Sequence, residues 1–279
     1  MAHGRFEVAR RRRPWPVVLW HGLGDAAQSE WMQHTKKTLE EMHPGLFVHV
    51  IALEQSEWRD RRATVWGHVP TQISQVHEQL QTIPELRDGF DAVGFSQGGQ
   101  FLRGYVERFN DPPVRHLLTF GSQHMGITEL PECSVYDALC HAVHGALSTR
   151  VYSDYAQHHV VTAQYFRDTR TPAQWALYHA KNAFLRDINN EGEHKNETYK
   201  KNMLSLQSFV MVQFDEETTV RPANSSWFES FPAPAPGVIP THTVPLRDSK
   251  LYREDWIGLR ALDARGSLVF LRRAPGTTS

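Results

Sequence analysis

Residues 93–99 read Val-Gly-Phe-Ser-Gln-Gly-Gly, an apolar run entering a G-x-S-x-G turn that then opens a helix, and few protein architectures accommodate that order. In such a turn the serine is held in strained backbone geometry at the tip of a central strand. Its hydroxyl is exposed, and the amide after it can face an oxyanion. The flanks support this reading. Residues 90–95 (FDAVGF) form a short apolar run after Gly89, and residues 97–109 put Phe101, Leu102, Tyr105 and Phe109 on one face at helical spacing. The alternative is a glycine-rich turn without chemistry, and the strand and helix around Ser96 favour a nucleophile elbow over it.

A second loop sits earlier in the sequence. Residues 15–20 (WPVVLW) read as a buried strand and lead into His21-Gly22-Leu23-Gly24-Asp25, an H-G-x-G pattern. Glycines after an early strand let the backbone approach a nucleophile and present an amide to a developing oxyanion. The expected donors are the main-chain N–H groups of Leu23 and Gln97. Alone, the pattern is an ordinary strand-end turn; two such loops in this order point to acyl transfer.

With 279 residues, 40% of them hydrophobic, the protein is able to bury one large core carrying an insertion. Lys and Arg number 30 against 31 Asp and Glu, giving a net charge of −1. No global field therefore steers it toward nucleic acid or an anionic membrane. The basic runs at residues 10–13 and at Arg59, Arg61 and Arg62 read as solvated tail and loop. No apolar run approaches the ~18 residues of a transmembrane segment. Residues 1–13 lack the apolar stretch of a secretory signal and read as a disordered basic leader, which taken literally places the start in the cytosol. Cys133 and Cys140 are the only cysteines, and Asn196-Glu197-Thr198 and Asn224-Ser225-Ser226 are sequons, features that favour secretion over a reduced pair and chance matches. The 16 histidines form no metal pattern, since His77-Glu78 lacks a second histidine four residues on and neither His141/His144 nor His158/His159 has a carboxylate-rich partner. No metal or organic cofactor is expected.

Strand and helix signals alternate through the first 120 residues, with strands expected at 17–20, 46–53, 90–95 and 114–121 and helices at 28–43, 70–82 and 97–108. That order predicts an α/β fold, a mostly parallel doubly wound sheet in a single domain over 14–279. From 122 to about 201 the alternation stops and a helical, lid-like insertion is expected. Its Val160, Val161, Tyr165, Phe166, Trp175, Ala176, Tyr178 and Phe184 either line an acyl groove or form the insertion's own core. The sheet resumes at 208–214 and leads into Asp215-Glu216-Glu217, where the acid of a Ser…acid…His order belongs. A helix over 253–263 and a last strand at 266–271 follow.

These residues closely resemble the lysosomal palmitoyl-protein thioesterases of the type 1 branch from about 14 to 270. The matching segments are WHGLGD (20–25), GFSQGGQFLRG (94–104), GSQHMG (121–126), FLRDINNE (184–191), NETYKKN (196–202), FVMVQF (209–214) and GSLVFL (266–271). The resemblance implies an α/β-hydrolase cleaving the thioester between long-chain acyl groups and cysteine in S-palmitoylated proteins or peptides. It places the nucleophile on Ser96, the oxyanion amides on Leu23 and Gln97, the acid on Glu217 in place of the family's Asp, a disulfide on Cys133 and Cys140, and glycosylation on Asn196. It also implies a lysosomal destination. The family follows its last strand with a Gly-Asp-His segment and a helix, whereas here Ala274-Pro275-Gly276 leads to Thr277-Thr278-Ser279. The triad histidine is therefore expected to be absent and the domain truncated at its C-terminal end, with His21 and His124 the nearest substitutes by motif position. The expected function is a palmitoyl-protein thioesterase acting through a Ser96 acyl-enzyme; the alternatives are a non-catalytic acyl-binding pseudoenzyme or an incomplete gene product. A nucleic-acid or membrane scaffold has only the arginine runs behind it.

Overall fold

In the computed structural model, which describes residues 14–130 and 150–273, the segments expected to be strands assemble into one sheet. The strands are β1 (Val17–Trp20), β2 (Val48–Val50), β3 (Phe90–Phe95), β4 (Val114–Phe120), β5 (Ser208–Phe214) and β6 (Leu268–Arg273), in spatial order β2-β1-β3-β4-β5-β6. Every neighbouring pair is parallel. Each crossover therefore carries backbone over a face, and the helices α1 (Glu30–Met42), α2 (Glu57–Ala63), α3 (Val69–Gln81) and α4 (Gln97–Arg108) do so in the first half. From β1 the chain moves outward to β2, then returns past β1 to β3 and continues to β4. The strand order thus reverses between β1 and β3, and in open α/β sheets the crevice at such a reversal, beyond the carboxyl ends of the strands, is where ligands bind. β1 ends at His21 and β3 at Ser96.

Packing follows from the strand pattern. Phe90, Ala92, Leu117, Phe209 and Met211 are buried and join Ile73, Val76, Phe101, Leu102 and Tyr105 of α3 and α4 in the main core. A smaller cluster on the other face holds Leu19, Val48 and Met32 of α1. The insertion contributes the helices α5 (Asp154–His159), α6 (Pro172–Lys181), α7 (Leu185–Ile188) and α8 (Glu197–Leu204). Its Val160, Val161, Tyr165, Phe166, Tyr178 and Phe184 are buried in the main core, so they form no separate core of their own. Trp175 is half-buried against that core and Ala176 is exposed.

Three expectations change. The second strand covers 48–50 rather than 46–53, because the backbone leaves the sheet once the Ile51 amide has bonded the Leu19 carbonyl. Arg59, Arg61 and Arg62 lie on a helix instead of a loop: Ser56 caps it by accepting from the Arg59 N–H, Glu57 and Asp60 occupy the first turn and Arg61 and Arg62 the last, complementing the helix dipole at both ends. The helix expected over 253–263 is two short ones, Lys250–Arg253 and Leu259–Ala264, separated where Asp255 and Gly258 take φ of 56° and 85°. The leader (1–13), Cys133, Cys140, His141, His144 and residues 274–279 lie outside the described residues.

Candidate active site

Ser96 leaves β3 with φ 52° and ψ −122°, a conformation that L side chains rarely adopt. The neighbouring glycines explain how it is held. A Cβ on Gly94 would fall against the backbone of Gly99, one on Gly98 against the carbonyl oxygens of His21 and Trp20, and one on Gly99 against Ser122 and Thr119, each at under 3.0 Å. The elbow is therefore wedged between the end of β1 and the end of β4. The Ser96 N–H donates to the Phe120 carbonyl at 2.7 Å. Gly22 presses on the same point, its would-be Cβ 3.1 Å from the Ser96 Cβ.

Leu23 follows Gly22, which packs on Ser96, and Gln97 follows Ser96 itself, so two residues 74 positions apart in sequence lie in the segments that meet at the elbow. No described residue accepts a hydrogen bond from the Leu23 N–H. Gln97 begins α4, whose first-turn N–H groups have no partner within the helix and carry the positive end of its dipole. The Gln97 side chain is clamped: its Nε2 donates to the Thr64 carbonyl at 3.2 Å and its Oε1 accepts from the Tyr165 hydroxyl at 3.1 Å. Burial raises the Tyr165 hydroxyl well above its ordinary value, so it stays a neutral donor.

Glu217 is set apart from its neighbours. Asp215 and Glu216 are exposed, whereas Glu217 is half-buried, with Oε1 accepting from the N–H groups of Thr219 at 2.7 Å and Val220 at 2.9 Å. A Cβ on Gly121, the residue after β4, would lie 3.3 Å from its Oε2. This carboxylate is thus fixed at the carboxyl edge of the sheet, where the elbow also opens.

A model of the palmitoyl protein thioesterase family matches residues 16–275. The chain belongs to that family. It is 37% identical over 257 residues to palmitoyl-protein thioesterase 1 of Caenorhabditis elegans, spanning 92% of this chain and 84% of that protein. With palmitoyl-protein thioesterase 3 of Dictyostelium discoideum it shares 32% over 255 residues, 91% of this chain and 82% of the other. The lysosomal thioesterase PPT2 of Rattus norvegicus is 27% identical, over 91% of this chain and 78% of its own.

In this member of the thioesterase family the two histidines nearest the elbow are held elsewhere. His21 is buried with Nε2 3.2 Å from the Asp60 carboxylate and Nδ1 3.2 Å from the Gly22 carbonyl. His124 is buried with Nε2 3.0 Å from the Thr119 hydroxyl and its ring stacked on Phe228; burial, with Arg103 adding, holds it well below its ordinary value and hence neutral. Among the described residues, no side chain hydrogen-bonds the Ser96 hydroxyl.

Behind the site, Arg103 of α4 joins three parts of the fold. It donates to Glu107 at 2.9 Å, to the carbonyls of Ile188 at 3.0 Å and His124 at 2.9 Å, and to Asn189 at 2.9 Å. Burial pushes the Glu107 carboxyl up to about 8 despite Arg103 and lowers Arg103. A cleft of about 700 Å³ between the insertion and residues 230–256 is lined by Trp175, Trp256, Arg167 and Glu191, among others, and not by Ser96, Leu23 or Gln97. Sequence reasoning missed Asp60 and Thr64, and offered Tyr165 only as an acyl-groove or insertion-core residue rather than as the partner of Gln97; none belongs to a motif, and only the tertiary fold brings them there. No helix among the described residues is long and apolar enough to cross a membrane.

Proposed function

We propose that the protein is a serine thioesterase acting on long-chain acyl groups carried on cysteine in S-palmitoylated proteins or peptides. The observation behind this is the strained Ser96 at the strand-order reversal, in a family whose relatives are named for this reaction. Ser96 Oγ attacks the thioester carbonyl carbon, the oxygen gains charge that the Leu23 and Gln97 N–H groups receive, and the cysteine thiol leaves. Water then releases the fatty acid from the acyl-enzyme. Glu217 is the acid that orients the base, its Oε1 spent on two amides and its Oε2 left to face an imidazole. Asn196 is exposed, with its Oδ1 accepting from the Thr198 N–H, which suits glycosylation. With a Cys133–Cys140 disulfide, that modification fits the lysosomal destination in the names of relatives.

Among the described residues His21 and His124 do not serve as the base, because both are bound away from Ser96. Without a histidine on Ser96 the reaction is expected to be slow, since loss of one triad member costs on the order of 10⁴ to 10⁶ in rate. The test compares this protein, Ser96→Ala, Glu217→Gln, and a version extended by a Gly-Asp-His segment and helix, on a chromogenic palmitoyl thioester. Rapid turnover by the extended version, lost in Ser96→Ala and reduced at least a hundredfold when Glu217→Gln is added to it, is the expected result. Fast Ser96-dependent turnover by the unextended protein overturns the account of the base. That no side chain among the described residues bonds the Ser96 hydroxyl also favours a second reading, an acyl-binding protein without catalysis; palmitate binding with no turnover in the extended version would establish it.

A further inference from the structure

Helix α2 was invisible to motif reasoning, yet it and its C-cap Thr64 bond both the loop after β1 and the Gln97 side chain. Asp60 is fully buried, and its carboxylate accepts from the N–H groups of Ala27 at 2.8 Å, Leu53 at 2.8 Å and Glu54 at 3.3 Å while lying 3.2 Å from His21 Nε2. Burial by itself raises this carboxyl; the contact with His21 and the main-chain donors outweigh it and hold the group below its ordinary value, so it is an acceptor on every side. Four residues on, Thr64 donates its hydroxyl to the Arg61 carbonyl at 2.7 Å and accepts the Gly24 N–H at 2.8 Å. The Thr64 carbonyl takes the Gln97 side chain.

We infer that Thr64 and Asp60 are positioning residues that set the spacing between the Leu23 and Gln97 amides. The loop carrying Leu23 is gripped at His21, Gly24 and Ala27, on both sides of the Leu23 amide, which no described residue accepts from. Its register cannot slide without breaking contacts to α2. Thr64 bonds the residue after one donor and the side chain of the other, accepting the Gly24 N–H on its hydroxyl and the Gln97 Nε2 on its carbonyl. Donors to an oxyanion act only when held 2.7–3.1 Å from the place the charge develops, so a bracket that fixes two loops from one helical turn determines whether both reach it. This inference rests on the assignment of Leu23 and Gln97 as the donor pair.

Binding of [1-¹³C]palmitate below its aggregation threshold tests it without requiring a catalytic base, because the product carboxylate occupies the place of the oxyanion. In the wild-type protein the bound carboxylate is expected to titrate below its free value, held ionised by two N–H donors. Thr64→Ser keeps the acceptor and is expected to match wild type. Thr64→Val removes it at nearly constant volume and is expected to weaken binding on the order of tenfold, with the bound carboxylate titrating closer to its free value and the melting temperature within a few degrees of Thr64→Ser. Should Thr64→Val fail to fold, Asp60→Asn serves in its place, since it turns a donor toward Ala27 and His21 and is expected to shift the titration in the same direction. A wild-type signature that Thr64→Val and Asp60→Asn leave unchanged overturns the bracket alone. A wild-type carboxylate with an unshifted titration overturns the donor assignment itself.

Discussion

Replacing Ser96 by glycine is expected to make the protein more stable while abolishing its nucleophile. Ser96 holds φ 52° and ψ −122°, and a non-glycine residue in such a conformation costs on the order of 1–3 kcal/mol. Its hydroxyl makes no capping bond to α4, so nothing is lost with it. Glycine removes the steric cost but adds roughly 0.5–1 kcal/mol of unfolded-state entropy. The net expectation is a gain of about 0.5–2 kcal/mol for Ser96→Gly, with Ser96→Ala within about 0.5 kcal/mol of wild type because it keeps the Cβ. Urea unfolding monitored by far-ultraviolet circular dichroism measures both, and an unchanged slope confirms that the unfolded states are comparable. An ordinary capping serine behaves in the opposite sense, with alanine about 1 kcal/mol below wild type and glycine a few tenths below. That second pattern would refute the claim that the elbow stores strain.

Two further outcomes follow from the packing around the site. Gly98→Ala puts a Cβ against two backbone carbonyls that have no flexible end to yield, and is expected to cost about 1–3 kcal/mol, roughly 5 °C in melting temperature for a domain near this size. Gly192→Ala, whose nearest neighbour would lie at 3.4 Å, is the control; equal melting temperatures for the two variants would show that the β1–elbow contact is not tight. For Glu107, raised from 4.5 to about 8 by burial, the sign is that of an acid kept neutral by folding: its contribution is complete below 4.5 and is lost as pH rises through about 8. Unfolding free energy measured between about pH 5 and pH 8 is therefore expected to decline in wild type and to decline less in Glu107→Gln. Parallel profiles in the two proteins would show that Glu107 is ionised in the fold.

What could be read in advance was what local sterics impose. A strand, a positive-φ serine and three close-packed glycines are contiguous, so residues 93–99 announced the elbow and residues 20–25 the loop beside it. The parallel sheet was legible for the same reason, each buried strand being a short apolar run between helical stretches. Residues 57–63 gave no such sign. EWRDRRA is charged and short, and what makes it a helix that matters is Asp60 pointing inward to amides that arrive from residues 27, 53 and 54. Nor could the aromatic residues of the insertion be assigned from spacing, because Tyr165 and Phe184 pack on Phe101 of α4, a pairing that depends on how the insertion folds back over the sheet. Glu217 fell between: in the sequence only the family resemblance singles it out from Asp215 and Glu216, and in the fold it differs from them by its partial burial and its bonds to the Thr219 and Val220 amides.

The glycines around Ser96 answer to three different neighbours: Gly94 to the backbone of Gly99, Gly98 to the carbonyls ending β1, and Gly99 to Ser122 and Thr119. None of those neighbours takes part in bond making. A descendant that lost its base, its acid or even its serine would still need all three glycines to close the sheet against α4, and no single compensating change elsewhere could release them together. Within this architecture the G-x-S-x-G-G signature is therefore a fossil of assembly as much as a badge of chemistry: it can outlive the reaction, and only the side chains that face Ser96 tell an observer whether the reaction still runs.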